Sequence, residues 1–142
     1  MGTNYYWHEK PPCPCCGATE EPLHIGKSSW GWCFSLHVDR QLGINTLEDW
    51  IERFNREGSH IRDEYEGTVE VDEMMRVITQ RGKPAPTDWE RLVQAGWYKS
   101  EEDFHRKNHS ERGPNNLLRH QTGDFCAGHG DGTWDYVEGE FS

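Results

Sequence analysis

An α+β domain is the fold class this chain predicts: a small mixed sheet built from N- and C-terminal strands, with three or four short helices inserted. Three observations lead there. Residues 30–38 alternate large apolar with small or polar side chains, the period of a strand. Residues 45–57 instead place Leu47, Trp50, Ile51 and Phe54 at i, i+3, i+4 and i+7, the single stripe of an amphipathic helix. The C-terminal LLRHQTGDFCAGHGDGTWDYVEGEF returns to turn-rich β character, so strands at both ends enclose the helices.

Each element has its own signal. The opening Asn4-Tyr5-Tyr6-Trp7 reads as a buried N-terminal strand. Leu23–Lys27 is a short strand, Lys27–Trp30 supplies a turn with Ser28-Ser29 at its centre, and Trp30, Trp32, Phe34, Leu36 and Val38 face one buried side of the next strand. Asn45-Thr46 caps the first helix and Glu48-Asp49 place acids at its positive end. HIRDEYEGTVE, residues 60–70, reads as a short hairpin or extended pair around Glu66-Gly67. A second helix runs from Asp72 to about Arg81 with Met75, Ile78 and Met74 inward. Lys83-Pro84-Ala85-Pro86 breaks the chain. Thr87 caps a third helix that Gly96 stops, and Ser100 with Asp103 opens a last one reaching Asn108. Residues 109–116 read as a loop.

At 142 residues the chain is most simply one domain, 1–142, with a modest core. Only 33% of it is apolar, yet seven tryptophans are present, so a few large rings carry the burial. The net charge is −10 and no Lys/Arg cluster exceeds a pair, which argues against nucleic-acid and anionic-membrane binding. An acidic surface suits solubility, and it also suits docking on a basic partner. No apolar run approaches the ~20 residues of a membrane helix, and the first residues lack a signal-peptide core. A cytoplasmic setting with reduced thiols is therefore expected, where five cysteines favour metal over disulfides.

Glu21-x-x-x-x-Gly26-Lys27-Ser28 has the tail of a phosphate loop but not its head. An acid stands at the first glycine position, and a strand rather than a helix follows. Zinc is the better reading. Cys13-Pro14-Cys15-Cys16-Gly17 contains the C-P-x-C-G knuckle, in which Cys13 and Cys16 converge on one ion and Cys15 points away. With a tight turn at Ser28-Ser29, His24 would oppose Cys33, close enough to complete the site. His37 and Cys33 would lie ~13 Å apart along one strand and could not share it. A reserve pair is Cys126 with His129, a second knuckle, C-A-G-H-G. Four protein ligands would make such a zinc structural.

No catalytic set stands out. His120, Asp124, Asp131 and Asp135 accompany the C-terminal glycines, where a polar turn is the simpler reading. His8, His60, His105 and His109 sit in polar surroundings and read as exposed. Asn4, Tyr5, Lys27 and Ser28, with His24, form a candidate small-ligand set without phosphate-loop geometry.

Several strings recur together: MGTNYY, C-P-x-C-G, HIGKSS followed by G-W-x-F, D-E-Y-x-G and the terminal GEFS. In these the chain resembles a family of small proteins of tailed bacteriophages and prophages that carries no assigned activity. The resemblance implies a source, not a mechanism, and His24 belongs to its pattern. The expected function is that of a phage-encoded accessory protein, zinc-stabilised, acting by binding a host protein and modulating a host enzyme or defence. The alternative is a small enzyme or a nucleotide- or ligand-binding protein using the HIGKSS hairpin and the glycine-rich C-terminal stretch.

Overall fold

The computed structural model describes residues 2–18, 20–80, 89–108, 117–119 and 133–141. Its centre is a mixed sheet. The strands are β1 (Gly2–His8), β2 (Leu23–Ser29), β3 (Phe34–Val38), β4 (His60–Asp63), β5 (Thr68–Val69), β6 (Leu117–Arg119) and β7 (Trp134–Glu138), in the spatial order β5-β4-β1-β2-β3-β7-β6. Antiparallel pairing joins β5 through β3, while β7 runs parallel to both β3 and β6. The helices are α1 (Leu47–Phe54), α2 (Val71–Gln80), α3 (Trp89–Gln94) and α4 (Glu101–Asn108). The expected α+β class is thus realised, with the first and last strands in one sheet.

Local chemistry places these elements. Thr46 caps α1 through a full capping box with Asp49, whose carboxylate accepts from the Thr46 and Asn45 amides at 3.1 and 2.8 Å. The D-E-Y-x-G string is a self-capped turn. Asp63 Oδ1 accepts from the Tyr65 and Gly67 amides at 2.9 and 2.8 Å. At Gly67 a Cβ would press on that same carboxylate. At α4 the Asp103 amide donates to Ser100 Oγ at 3.2 Å, but the Asp103 carboxylate accepts from the Lys99 amide rather than from Ser100, so only half of the expected box forms. Thr87 lies outside the described residues, while Gly96 does stop α3, at a φ of 86°.

Helices α1 and α2 pack on one face of the sheet. Tyr5, Trp7, Ile25, Phe34, Leu36 and Ile61 from the strands meet Leu47, Trp50, Phe54, Met74, Val77 and Ile78 from the helices in one buried cluster. Val77 belongs to it and Met75 only flanks it, a rotation of the α2 stripe relative to the expected one. Trp50 is 1% exposed, and its Nε1 donates to the His37 carbonyl at 2.7 Å. Burying such rings contributes roughly 25 cal/mol per Å² of apolar area removed from water, so this face dominates the stability.

The β2–β3 connection departs from the sequence reading. Gly26 pairs with Leu36 and Lys27 with Ser35, so the strands join through Trp30–Cys33 rather than a turn at Ser28-Ser29. The Trp32 amide donates to the Ser29 carbonyl at 3.1 Å, and Gly31 takes a φ of 82°, a turn that needs a residue without Cβ. Apolar alternation alone does not locate where a hairpin turns. Phe34, Leu36 and Val38 are buried as expected, whereas Trp30 is 93% and Trp32 51% exposed at the tip.

Candidate functional site

The second face of the sheet is largely polar, with Val137, opposite His37, as a buried apolar member. Between Tyr5 and Tyr6 the β1–β2 register shifts, so that Tyr5 pairs with Gly26 and Tyr6 with His24, leaving Ile25 as the extra residue of a bulge. Ile25 is fully buried in the core, and His24 is set beside Tyr6 on the opposite side. Gly26 is required there because a Cβ would lie 2.5 Å from the Phe34 ring and run into the Ser35 carbonyl. The glycine of the G-K-S string thus serves packing, not phosphate binding. Across the same face a transverse row forms, as Asn4 pairs with Lys27, Lys27 with Ser35, and Ser35 with Asp135. Asn4 and Asp135, at 6% and 1% exposure, are buried polar members of that row.

Where β2 begins and β3 ends, the end of the sheet opens into a cavity of about 520 Å³ that residues of both faces line. Tyr6, His24 and His37 line it from the strands, and Leu42, Ile44 and Trp50 line it from the segment leading into and along α1. Carboxylates come from Glu21, Asp39 and Glu140, and Phe141 adds a ring from the end of the chain. Four aromatic groups converge. The His24 and His37 ring centroids are 5.4 Å apart, Phe141 meets them edge-on at 4.7 and 5.4 Å, and Tyr6 lies 5.4 Å from His24.

The imidazoles are fixed by hydrogen bonds. His24 Nε2 donates to Asn4 Oδ1 at 2.8 Å, and His37 Nδ1 donates to the His24 carbonyl at 3.0 Å. The second bond places a proton on His37 Nδ1. Burial, and then the neighbouring His37, push the His24 pKa down to about 4, so its ring is neutral near pH 7. A second imidazole pair, His8 and His60, stacks farther along the polar face with centroids 4.6 Å apart. His8 is only 9% exposed, so the expectation that it lies free in solvent is corrected: the antiparallel partner β4 covers it. His8 Nδ1, His60 Nε2 and Arg62 Nε are buried without a hydrogen-bond partner. Burial lowers the pKa of both rings, helped by Arg62.

Of the small-ligand set, Asn4, Lys27 and Ser28 lie on β1 and β2, and Asn4 reaches the cavity through His24. Tyr5 does not. It is buried at 8% exposure on the helix-packed face, 6.1 Å from the Phe34 ring.

The metal reading divides. The Cys13–Gly17 segment is a tight turn: the Gly17 amide donates to the Cys13 carbonyl at 2.8 Å, the Cys13 amide to the Ala18 carbonyl at 2.8 Å, and Gly17 takes a φ of 73°. Backbone amides of Cys15 and Cys16 bond the Cys13 thiol and lower its pKa, with the Cys16 side chain adding to this. The side chains of both Cys16 and Cys15 hydrogen-bond Cys13, so Cys15, expected to point away from the pair, does not. His24 and Cys33 do not join that pair. In the observed register His24 is not opposite Cys33, its Nε2 is held by Asn4, and Cys33 is buried at 2% exposure at the end of the tryptophan turn. Among the described residues no three His, Cys, Asp or Glu side chains gather to hold a metal. Cys126 and His129 lie outside the described residues, as do His120, Asp124 and Asp131.

Missed by sequence reasoning were His37, Glu140 and Phe141 as neighbours of His24. Only the parallel β3–β7 pairing, between segments far apart in the chain, brings the last of these alongside. Compared with protein-family models, with curated proteins and with solved structures, the chain finds no match.

Proposed function

We propose that the protein is an accessory protein of phage type that acts by binding a host protein, with a zinc ion bracing its N-terminal knuckle. The observation that carries this reading is the β2–β3 tip, where Trp30 stands 93% and Trp32 51% exposed beside a strand whose Phe34, Leu36 and Val38 are buried. Exposed tryptophans are costly in water and common as binding hot spots. The excess of acids over bases, a net −10, favours a basic partner surface and steers it inward.

Zinc belongs to the same reading. Cys13 and Cys16 would hold it, and Cys126 with His129 would complete a tetrahedral site that ties the C-terminal stretch to the N-terminal knuckle. Bound there, the metal would supply folding free energy rather than chemistry. About one zinc per chain by metal analysis is the expected result, and its loss in Cys13→Ser should lower the melting temperature. A metal-free native protein would remove this part of the proposal.

The function is tested by capture from host lysate with two baits, the native chain and a Trp30→Ala/Trp32→Ala variant. A stoichiometric protein held by the first and lost from the second is expected. Equal retention by both baits contradicts the tip as the docking element. A second reading, a small-ligand protein, is favoured by the cavity beside His24, whose volume falls in the range of small-molecule sites.

A further inference from the structure

We infer that the cavity beside His24 is a receptor for an organic cation, a guanidinium or ammonium group. Its walls combine what such a group requires and omit what would repel it. Glu21, Asp39 and Glu140 contribute carboxylates, while no lysine or arginine lines it. Arg53 is engaged elsewhere, donating to the Leu42 carbonyl at 3.1 Å, as is Arg40, paired with Glu138 at 3.5 Å; Arg62, opposite Tyr6, and Lys27, whose charge acts on His24, lie outside the lining. Glu21 and Glu140 are exposed at the rim and, among the described residues, neither forms an ion pair.

Aromatic rings supply the second half of the recognition. Tyr6, Trp50 and Phe141 line the same space, and Phe141 is seated by edge contacts on both imidazoles. A cation over an aromatic face is attracted by the ring quadrupole, more strongly once it is desolvated. With carboxylates at the rim and rings within, the ion-pair and cation–π contributions act on one group. The neutral His24 ring adds no competing charge near pH 7. A volume of about 520 Å³ exceeds what one metal ion fills and suits a side-chain-sized ligand. An anionic ligand would instead face three carboxylates with no compensating cation in the lining. The inference is independent of the tryptophan tip, which lies at the other end of β2.

The test titrates the full chain with N-acetyl-arginine amide and N-acetyl-lysine amide at constant ionic strength, with the neutral N-acetyl-glutamine amide as control. The ring signals of His24 and His37 are followed by NMR. Saturable shifts with the cations and none with the control are expected, weakening as salt is added. Glu21→Gln/Glu140→Gln should bind about tenfold more weakly with an unchanged melting temperature, because both acids are exposed. The same arginine within a short peptide separates two sources of the cation: tighter binding points to a side chain of a protein, equal binding to a free small molecule. Three results would overturn the inference: no saturable shift, an equal response to the neutral control, or undiminished binding by the double variant. A response to zinc alone, with none to the organic cations, would overturn it as well.

Discussion

The two faces of one sheet differ in chemistry. Beneath α1 and α2 lie Tyr5, Trp7, Ile25, Phe34, Leu36 and Ile61, closed off from water and packed on Trp50 and Met74. On the reverse lie Asn4, Tyr6, His24, Lys27, Ser35, His37 and Asp135, polar or amphipathic on the same strands and at alternating positions. A sheet that needed the reverse face only as a covered surface would carry apolar residues there at lower desolvation cost. This face instead keeps a neutral His24 ring and a buried aspartate, and the proposed ligand site rests on its polar lining. The difference teaches that the pleat sorts apolar from polar side chains along each strand, while Trp50 and Ile44 belong both to the core and to the cavity wall.

Substitutions on the helix-packed face should cause the largest losses. Trp50→Ala removes a fully buried ring and the bond to the His37 carbonyl, with an expected cost of about 3–5 kcal/mol in urea unfolding. A cost under ~1 kcal/mol would mean that the core lies elsewhere. Gly26→Ala comes next, at about 2–4 kcal/mol, since its Cβ would meet the Phe34 ring and a backbone carbonyl that cannot retreat. A normal melting temperature for that variant would place the β2 bulge in question.

Acid sharpens the comparison from the polar side. Below pH 6.5 the unfolded chain protonates His24, whereas the folded ring stays neutral until about pH 4. The unfolded state then binds more protons, so stability falls as pH drops from 6.5 to about 4 and is unaffected above that window. His8 and His60, also lowered, act in the same direction. A loss of roughly 1–2 kcal/mol from His24 is expected, discounted for its partial exposure. His24→Gln should flatten that part of the pH profile. The smallest effect belongs to the tip. Trp30→Ala should shift stability by less than ~0.5 kcal/mol, because the ring is 93% exposed, while abolishing partner retention.

The helix-packed face was the more legible of the two in the sequence. The i, i+3, i+4, i+7 stripe of Leu47, Trp50, Ile51 and Phe54 and the Thr46 cap correspond to α1, and the Glu66-Gly67 turn joins β4 to β5. These features depend on neighbours within one or two turns of chain. The β2–β3 register did not read correctly, because Trp30 and Trp32 continue the strand period past the point where Gly31 turns the chain. His24 was singled out, but for the wrong partner. The bulge at Ile25 decides which face it joins, and a bulge leaves no mark in an alternation of two. His37 and Phe141 reach it through pairings between distant segments, which no local pattern encodes.

One histidine titration by NMR probes the polar face most directly. His24 should titrate near pH 4, with His8 and His60 also below 6.5, as buried imidazoles beside other cations must. A His24 ring that titrates at or above 6.5 would show it to be solvated or paired with an acid, and would contradict the neutral, enclosed site described for this face.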